Sequence, residues 1–274
     1  MDFPRARQRF YQEVTQPEEH INLAAAALYI AQEEYPALEP EVYLNALDGI
    51  ASEVKKRLPS EQYPLRILQT INRYLYEDLG FTGNTADYYD PKNSFLNDVL
   101  DRRTGIPITL SLVYLEIARH IGLPMVGVGM PGHFLIRPNL EDMEIYVDPF
   151  HQGEILFVED CQERLTQIYD RPIEMTPDLL PQISSRRFLA RMLTNLKMIY
   201  LQHHQLEKAL AVIERILLLF PEAPLEHRDR GILYYHLNRW LEARHDLETY
   251  LTMVPTAEDT RVIEQLLTRM QQFL

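Results

Sequence analysis

Apolar residues recur at every third or fourth position over most of the first 80 residues, a period that predicts amphipathic helices. Three such segments follow one another, at residues 17–34, 39–58 and 64–80. The third segment ends at Gly80, a residue type suited to the C-terminal end of a helix. The apolar positions that share its predicted face are Leu65, Leu68, Ile71, Leu75 and Leu79.

A turn-rich stretch follows, and the helical period then returns in two further segments. The first covers residues 95–105. The second begins at Pro107, where the missing backbone N–H is not needed, and ends at Gly122 and Pro124. It is predicted to be the central helix of its domain. Its apolar face consists of Ile106, Leu110, Val113, Ile117 and Ile121.

Beyond this helix the period changes to two, and short runs of branched and aromatic residues alternate with Pro, Gly, Asn and Asp. This is typical of antiparallel strands. The predicted strands are residues 124–130, 133–137, 144–148 and 154–158. The second and third are expected to form a hairpin. If Arg137 lies opposite Glu144, His133 lies opposite Asp148 and both side chains occupy one face of the sheet.

The last third of the chain contains a repeat with a shift of 34 residues. The corresponding pairs are Lys197 and Gly231, Tyr200 and Tyr234, Ala209 and Ala243, and Pro221 and Pro255. Small or apolar residues at these positions, with proline after each pair of helices, are typical of stacked helical hairpins, which commonly bind other proteins. The aromatic positions Tyr200 and Tyr234 are interpreted as core. Four repeat helices and a final capping helix are predicted.

Residues 160–185 contain Pro172, Pro177 and Pro181 and are predicted to be a connector. The expected domains are therefore residues 1–180 and 181–274.

Composition and charge restrict the class of protein. The chain has 274 residues, 46% of them apolar, which is enough for a substantial core. The N-terminus has no continuous apolar stretch and no segment is long enough to cross a bilayer, so a soluble cytoplasmic protein is expected. The single cysteine, Cys161, agrees with a reducing compartment. The first 185 residues carry a net charge of −14, so nucleic acid and membrane partners are not expected.

Four segments resemble the SirB-type transglutaminase-like family, bacterial proteins in which such a domain is often followed by tetratricopeptide repeats. The segments are GFTGN, YYDPKNSFLNDVLDRRTGIPITLSLVYLEIARHIGLP, GVGMPGHFLIRP and YVDPFHQGEIL. The resemblance implies an α+β fold: a papain-like, transglutaminase-like core of helices plus an antiparallel sheet, followed by an all-α tetratricopeptide-repeat module.

The resemblance also implies a catalytic site, in which His133 matches the family histidine and Asp148 the aspartate that orients it. The cysteine that begins the core helix in the family corresponds here to Pro107, which offers no nucleophile. Ser111 shares its helix face but lies about 6 Å further along the axis. Cys161 follows two acidic residues, which disfavours a thiolate.

Several interpretations of His133 and Asp148 follow. In the first, His133 and Asp148 are a structural pair. In the second, they are a remnant of an active site that binds a ligand or peptide. In the third, they are a catalytic dyad that uses an unconventional nucleophile or an activated water. His151 would complete a two-histidine, one-carboxylate metal site, but this ligand set arises easily by chance, and no metal or cofactor is expected. Asn93 and Arg103 flank the expected cleft. Asn93 is interpreted as a helix cap and Arg103 as part of a salt-bridged helix end, and the alternative is that both bind a ligand. The favoured hypothesis is a non-catalytic factor that binds a protein or peptide, and the alternative is an amide-bond hydrolase or acyl transferase.

Overall fold

A computed structural model describes residues 4–61, 63–141 and 143–273. Its helices are α1 Arg5–Val14, α2 Leu23–Glu34, α3 Pro40–Arg57, α4 Pro64–Asn72, α5 Leu96–Arg102, α6 Pro107–Ile121, α7 Val158–Tyr169, α8 Ser185–Gln202, α9 Leu206–Leu219, α10 Pro224–His236, α11 Trp240–Met253 and α12 Thr260–Met270. Its strands are β1 Thr82–Gly83, β2 Thr104–Gly105, β3 Met125–Val128, β4 Leu135–Pro138, β5 Tyr146–Asp148 and β6 Glu154–Leu156. The chain divides into two compact units, Met1–Met192 and Leu193–Leu274.

The first unit is built around α6, which is buried on nearly every side. The helix begins at Pro107, and Gly122 ends it in the left-handed region with φ of 84°. Both ends lie where the sequence placed them, because proline at the first helical position and glycine beyond the last one are strong local signals. Helices α2, α3 and α5 pack around it together with the sheet.

The sheet has the order β3-β4-β5-β6 with every neighbouring pair antiparallel, which confirms the predicted strands. The predicted register of the β4–β5 hairpin is wrong by two residues. Ile136 pairs with Val147, whereas the expected pairing places Ile145 opposite it. Because side chains alternate between faces with a period of two, a shift of two residues leaves each side chain on its predicted face.

The predicted helix at residues 64–80 is interrupted. Helix α4 ends at Asn72 and continues as a π-helical turn over Arg73–Asp78, in which the amide of Leu79 donates to the Tyr74 carbonyl. The wider turn rotates the later residues relative to the predicted apolar face. Leu65 lies before this turn, at the start of α4, and was assigned to the same face, but it is 44% exposed.

Two helices are absent from the sequence-based prediction. Helix α1 buries Ala6, Phe10 and Val14. Helix α7 occupies the first part of the segment predicted to be a connector, and it buries Cys161 and Leu165. In both segments the buried positions recur every three or four residues, so the helical pattern is present in the sequence although it was not interpreted as a helix.

The second unit is helical, as the repeat predicted. Ala209 and Ala243 are fully buried, and a Cβ added to Gly231 would lie 2.8 Å from the Leu247 side chain, so the repeat positions allow close helix packing. Tyr200 and Tyr234 are 4% and 6% exposed, which places them in the core. The division between the units falls within α8.

Within the described residues, no helix has both the length and the apolar character required to cross a bilayer.

Candidate functional site

His133 is positioned by a tight turn at the start of β4. Its amide donates to the Met130 carbonyl at 3.1 Å, and Gly132 has φ of 72°. Proline followed by a glycine with positive φ is the arrangement of a type II turn. Arg191 of α8 donates to the carbonyls of Met130 and His133, so the turn is held from both sides.

Asp148 ends β5 and uses both of its carboxylate oxygens. Oδ1 accepts from the backbone amides of Phe150 at 3.0 Å and His151 at 3.3 Å, which caps the 3₁₀ turn Pro149–His151. Oδ2 lies 2.7 Å from Nε2 of His133. Asp148 is fully buried and His133 is 8% exposed. The two residues that the sequence placed on one face are thus hydrogen-bonded to each other.

The same oxygen has two more partners. Nδ1 of His151 lies 2.9 Å from Asp148 Oδ2, and the His151 side chain is 47% exposed. Arg164 of α7 donates Nη1 to Asp148 Oδ2, and the same nitrogen lies 2.6 Å from His151 Nδ1. Nη2 of Arg164 donates to Glu154 at 2.7 Å.

Arg164 does not appear among the site residues predicted from the sequence. The signal that could have identified it is the helical pattern of residues 158–169, which would have placed a cation on a helix packed beside the sheet.

The hydrogen bonds determine the charge of Asp148. Burial acts to raise the pKa of this carboxyl, but hydrogen bonds from His133 and His151 outweigh burial and hold the pKa well below its usual range. Asp148 is therefore an ionised carboxylate in a buried position, neutralised by Arg164.

The site contains no nucleophile at the start of α6. Pro107 occupies that position and is buried. Ser111, one turn further, is fully buried, and its hydroxyl has no hydrogen-bond partner among the described residues. Cys161 is fully buried in an apolar cluster with Val128 and Leu135, and burial raises the pKa of its thiol to about 12. A thiol in this state is not a nucleophile at neutral pH.

Asn93 supports the loop beside the site. It is fully buried, and its Nδ2 donates to the carbonyls of Asp87 at 2.7 Å and Tyr88 at 3.2 Å, while its Oδ1 accepts from Asn84. Its role in the structure is to fix the loop.

Arg103 is exposed, has a positive φ of 54°, and donates to the Leu79 carbonyl at 2.6 Å. Among the described residues it forms no hydrogen bond with the His133–Asp148 pair.

An aromatic row extends from the histidines. Phe150 contacts the rings of His133 and His151, with centroid distances of 6.0 and 5.2 Å, and Tyr88 contacts Phe150 at 6.2 Å. These rings meet edge to face, the arrangement that the charge distribution of aromatic rings favours.

The donor atoms of His133, Asp148 and His151 lie within 4.8 Å of one another, close enough to be considered as a metal site. Their lone pairs are, however, directed into hydrogen bonds, and the Arg164 guanidinium contacts two of the three residues. A divalent cation would have to displace Arg164. The arrangement therefore fits a hydrogen-bonded cluster better than a coordination site.

A buried helix against a small antiparallel sheet, with histidine and aspartate on neighbouring strands, is the architecture of a transglutaminase-like domain. The model of the transglutaminase-like superfamily matches residues 41–194, and a tetratricopeptide-repeat model matches residues 196–268. The expected fold, a transglutaminase-like core followed by helical repeats, is confirmed.

Curated relatives extend the match over almost the whole chain. The UPF0162 protein of Xylella fastidiosa is 34% identical over 253 residues, 91% of this chain and 90% of the relative. The UPF0162 protein of Pseudomonas aeruginosa is 32% identical, with 84% of each chain covered. The human F-box only protein 21 is 34% identical over 65% of this chain, but over 29% of its own length. The chain belongs to the transglutaminase-like superfamily and, within it, to the UPF0162 proteins.

Proposed function

We propose that this protein binds a protein or peptide and that its transglutaminase-like domain does not catalyse acyl transfer. The observation that carries the proposal is the identity of residue 107: the helix that would present a nucleophile begins with a buried proline. Ser111 and Cys161 do not replace it, because both are fully buried.

The charge arrangement supports the same conclusion. A general base is strengthened by a neighbouring carboxylate that stabilises the protonated imidazole. Here the carboxylate of Asp148 also binds Arg164 and the backbone amides of Phe150 and His151, so it is built into the fold of the turn. The cluster is better suited to holding the turn residues in place than to abstracting a proton.

The repeat module supports a binding role, since tetratricopeptide repeats generally mediate interactions between proteins. The proposed protein is a soluble cytoplasmic factor with two binding regions, the surface around the His133 cluster and the surface of the repeats.

The second candidate is an amide hydrolase or acyl transferase in which His133 activates a water molecule. The intact 2.7 Å hydrogen bond between His133 and Asp148 favours it. Such an enzyme would need no thiol.

Turnover assays separate the two functions. Wild-type protein and His133→Ala are incubated with glutamine-containing peptides, with and without a primary amine. Released ammonia and the intact mass of the protein and peptides are then measured. The binding proposal predicts no turnover and no covalent adduct with either protein. Ammonia release or peptide cleavage that depends on His133 would establish the enzyme instead.

Binding itself is tested by panning a random peptide library against the full-length wild-type chain. The proposal predicts enriched peptides whose micromolar affinity is confirmed by fluorescence polarisation. If no peptide is enriched and His133-dependent turnover is present, the binding role is wrong.

A further inference from the structure

The loop that precedes α5 presents three consecutive exposed side chains, Asp87, Tyr88 and Tyr89. Tyr88 is 38% and Tyr89 is 59% exposed, and their rings meet edge to face at 5.3 Å. Exposed tyrosines are common as single residues, whereas two adjacent exposed tyrosines beside a candidate site are a feature that we interpret as a binding surface. Tyrosine supplies a large contact area at a low cost in side-chain entropy.

This loop is held in one conformation by buried polar groups. The side chain of Asn93 donates to the carbonyls of Asp87 and Tyr88, and Asn84 donates to Asn93 while accepting from the Asp87 amide at 2.9 Å. Because the backbone is fixed before a ligand arrives, binding to the tyrosines requires little further ordering of the loop.

The two tyrosines continue into the candidate site. Tyr88 contacts Phe150 at 6.2 Å and Phe150 contacts His133 at 6.0 Å. A ligand anchored on Tyr89 therefore lies at the end of an aromatic row that leads to the imidazole.

The unpaired Asp87 carboxylate and the net charge of the first 185 residues favour a cationic ligand. The carboxylate of Asp87 forms no ion pair with any described residue, and the first 185 residues have a net charge of −14. Neighbouring cations are engaged: Arg164 with Asp148 and Glu154, and Arg102 with Asp90 at 3.0 Å. Arg191, by contrast, donates to the neutral backbone carbonyls of Met130 and His133, so it keeps its positive charge.

Lys92 is a second cation without a carboxylate partner, because it is exposed and its ammonium group forms no ion pair in the described part of the chain. Its charge opposes the binding of a cation, which makes it a useful position for a test.

We propose that Asp87, Tyr88 and Tyr89 bind a lysine or arginine side chain of an extended basic peptide that lies along the aromatic row toward His133. The cation is attracted by the face of a tyrosine ring and by the Asp87 carboxylate. The negative field of the domain favours the approach of such a peptide and disfavours acidic segments. This inference rests on the proposed binding function and names the class of its ligand.

The experiment uses three fluorescein-labelled dodecapeptides with the same alanine and glycine frame, carrying alternating Lys/Arg, Gln or Glu. Fluorescence polarisation against the full-length chain is expected to give micromolar binding of the basic peptide and at least tenfold weaker binding of the other two. Affinity should fall on raising the salt concentration.

Variants locate the site. Tyr89→Ala is expected to weaken binding of the basic peptide at least tenfold and Asp87→Asn several-fold, whereas Lys92→Glu should strengthen it. Tyr11→Ala is the matched control, because Tyr11 is 45% exposed and lies on α1. All four positions are exposed, so circular dichroism should show unchanged folding.

Three outcomes would overturn the inference: binding of the basic peptide that Tyr89→Ala and Tyr11→Ala affect equally, equal binding of the basic and acidic peptides, or no binding of the basic peptide. The first two would leave the proposed binding function standing with a different surface or ligand. Cleavage of the peptide or amine transfer to it would instead contradict the proposed function. The polarisation data on the loop variants would still show whether the basic peptide binds at Asp87, Tyr88 and Tyr89.

Discussion

At the scale of single residues, Asp148 is the buried carboxylate on which the polar contacts of the candidate site converge. One oxygen caps a turn and the other meets His133, His151 and Arg164. A buried carboxylate is stable in the folded state only when hydrogen bonds and a counter-charge compensate for the lost solvation. Removal of its charge should therefore cost more than the loss of an exposed ion pair with the same arginine.

Substitution Asp148→Asn tests this, because it removes the charge while the shape of the side chain is kept. We expect a loss of about 3–5 kcal/mol in the free energy of unfolding, since Arg164 is left without its buried partner. Glu154→Gln is the control: Glu154 binds the same Arg164 but is 49% exposed, so its loss should cost less than about 1 kcal/mol. Urea denaturation followed by circular dichroism measures both, and equal losses would contradict the argument.

The lowered pKa of Asp148 predicts how stability depends on pH. In the unfolded chain an aspartate takes up its proton near pH 3.9, whereas in the folded protein it does so only at lower pH. The stabilisation from Asp148 is thus complete above about pH 5 and is lost progressively as the pH falls below about 4. Wild type and Asp148→Asn should differ in unfolding free energy by less at pH 3 than at pH 5, because Asp148 is ionised in both the folded and the unfolded state at pH 5. A difference that grows in acid would contradict the assignment.

At the scale of elements, close approaches of backbone and side chain fix the turns that carry the site. Gly153, just before β6, has φ of 72°, and the Asn72 side chain donates to its carbonyl at 2.7 Å. Asn72 also accepts from the Tyr114 hydroxyl at 2.9 Å, so the end of α4, helix α6 and the β5–β6 turn are joined through one amide group.

Alanine substitutions at two glycines distinguish the stability lost through a strained backbone conformation from the stability lost through a steric clash. In Gly153→Ala the added Cβ would clash with the Asn72 side-chain oxygen, whereas in Gly122→Ala it would meet nothing within 4 Å, although φ is also positive there. We expect Gly122→Ala to cost about 1–2 kcal/mol, the strain of a left-handed residue alone. Gly153→Ala should cost clearly more, because Asn72 must move and lose hydrogen bonds. Thermal unfolding compares them, and similar losses would show that Asn72 moves freely.

At the scale of the whole molecule, the chain consists of two compact units, each with a buried carboxylate that an arginine binds. The first has the sheet and the buried helix α6, and the second has stacked helices with a buried carboxylate, Asp246, which is 1% exposed. Arg230 donates to both oxygens of Asp246 at 2.6 and 2.8 Å. In a repeat module each helix pair depends mainly on its neighbours, so damage at this position should remain local.

Substitution Asp246→Ala leaves Arg230 unpaired and is expected to lower protection from hydrogen exchange in residues 224–253. Protection of α6 in the first unit should remain close to the wild-type value. Arg244→Ala provides the control, because Arg244 forms an exposed pair with Glu248 on the same helix as Asp246. Loss of protection across both units would show that they unfold as one.

The periodic patterns of the chain were sufficient to predict those helices and strands that are specified by nearby residues. The ends of α6 at Pro107 and Gly122 and the four strands follow from residue types within a few positions of one another, and the helical repeat follows from the recurrence of residue types after 34 positions. The segment at 158–169 was predicted to be the end of a strand and a connector although its apolar residues have a helical spacing, and with it Arg164 was missed.

The sequence by itself determined that His133 and Asp148 share a sheet face, because alternation has a fixed period, and that residue 107 carries no nucleophile, because covalent identity does not depend on folding. Only the tertiary structure decided the hairpin register, the arrival of Arg164 at Asp148 and the burial of Cys161. These depend on packing between segments far apart in the chain. That packing fixes distances between groups, and therefore their charge states, which no local pattern encodes.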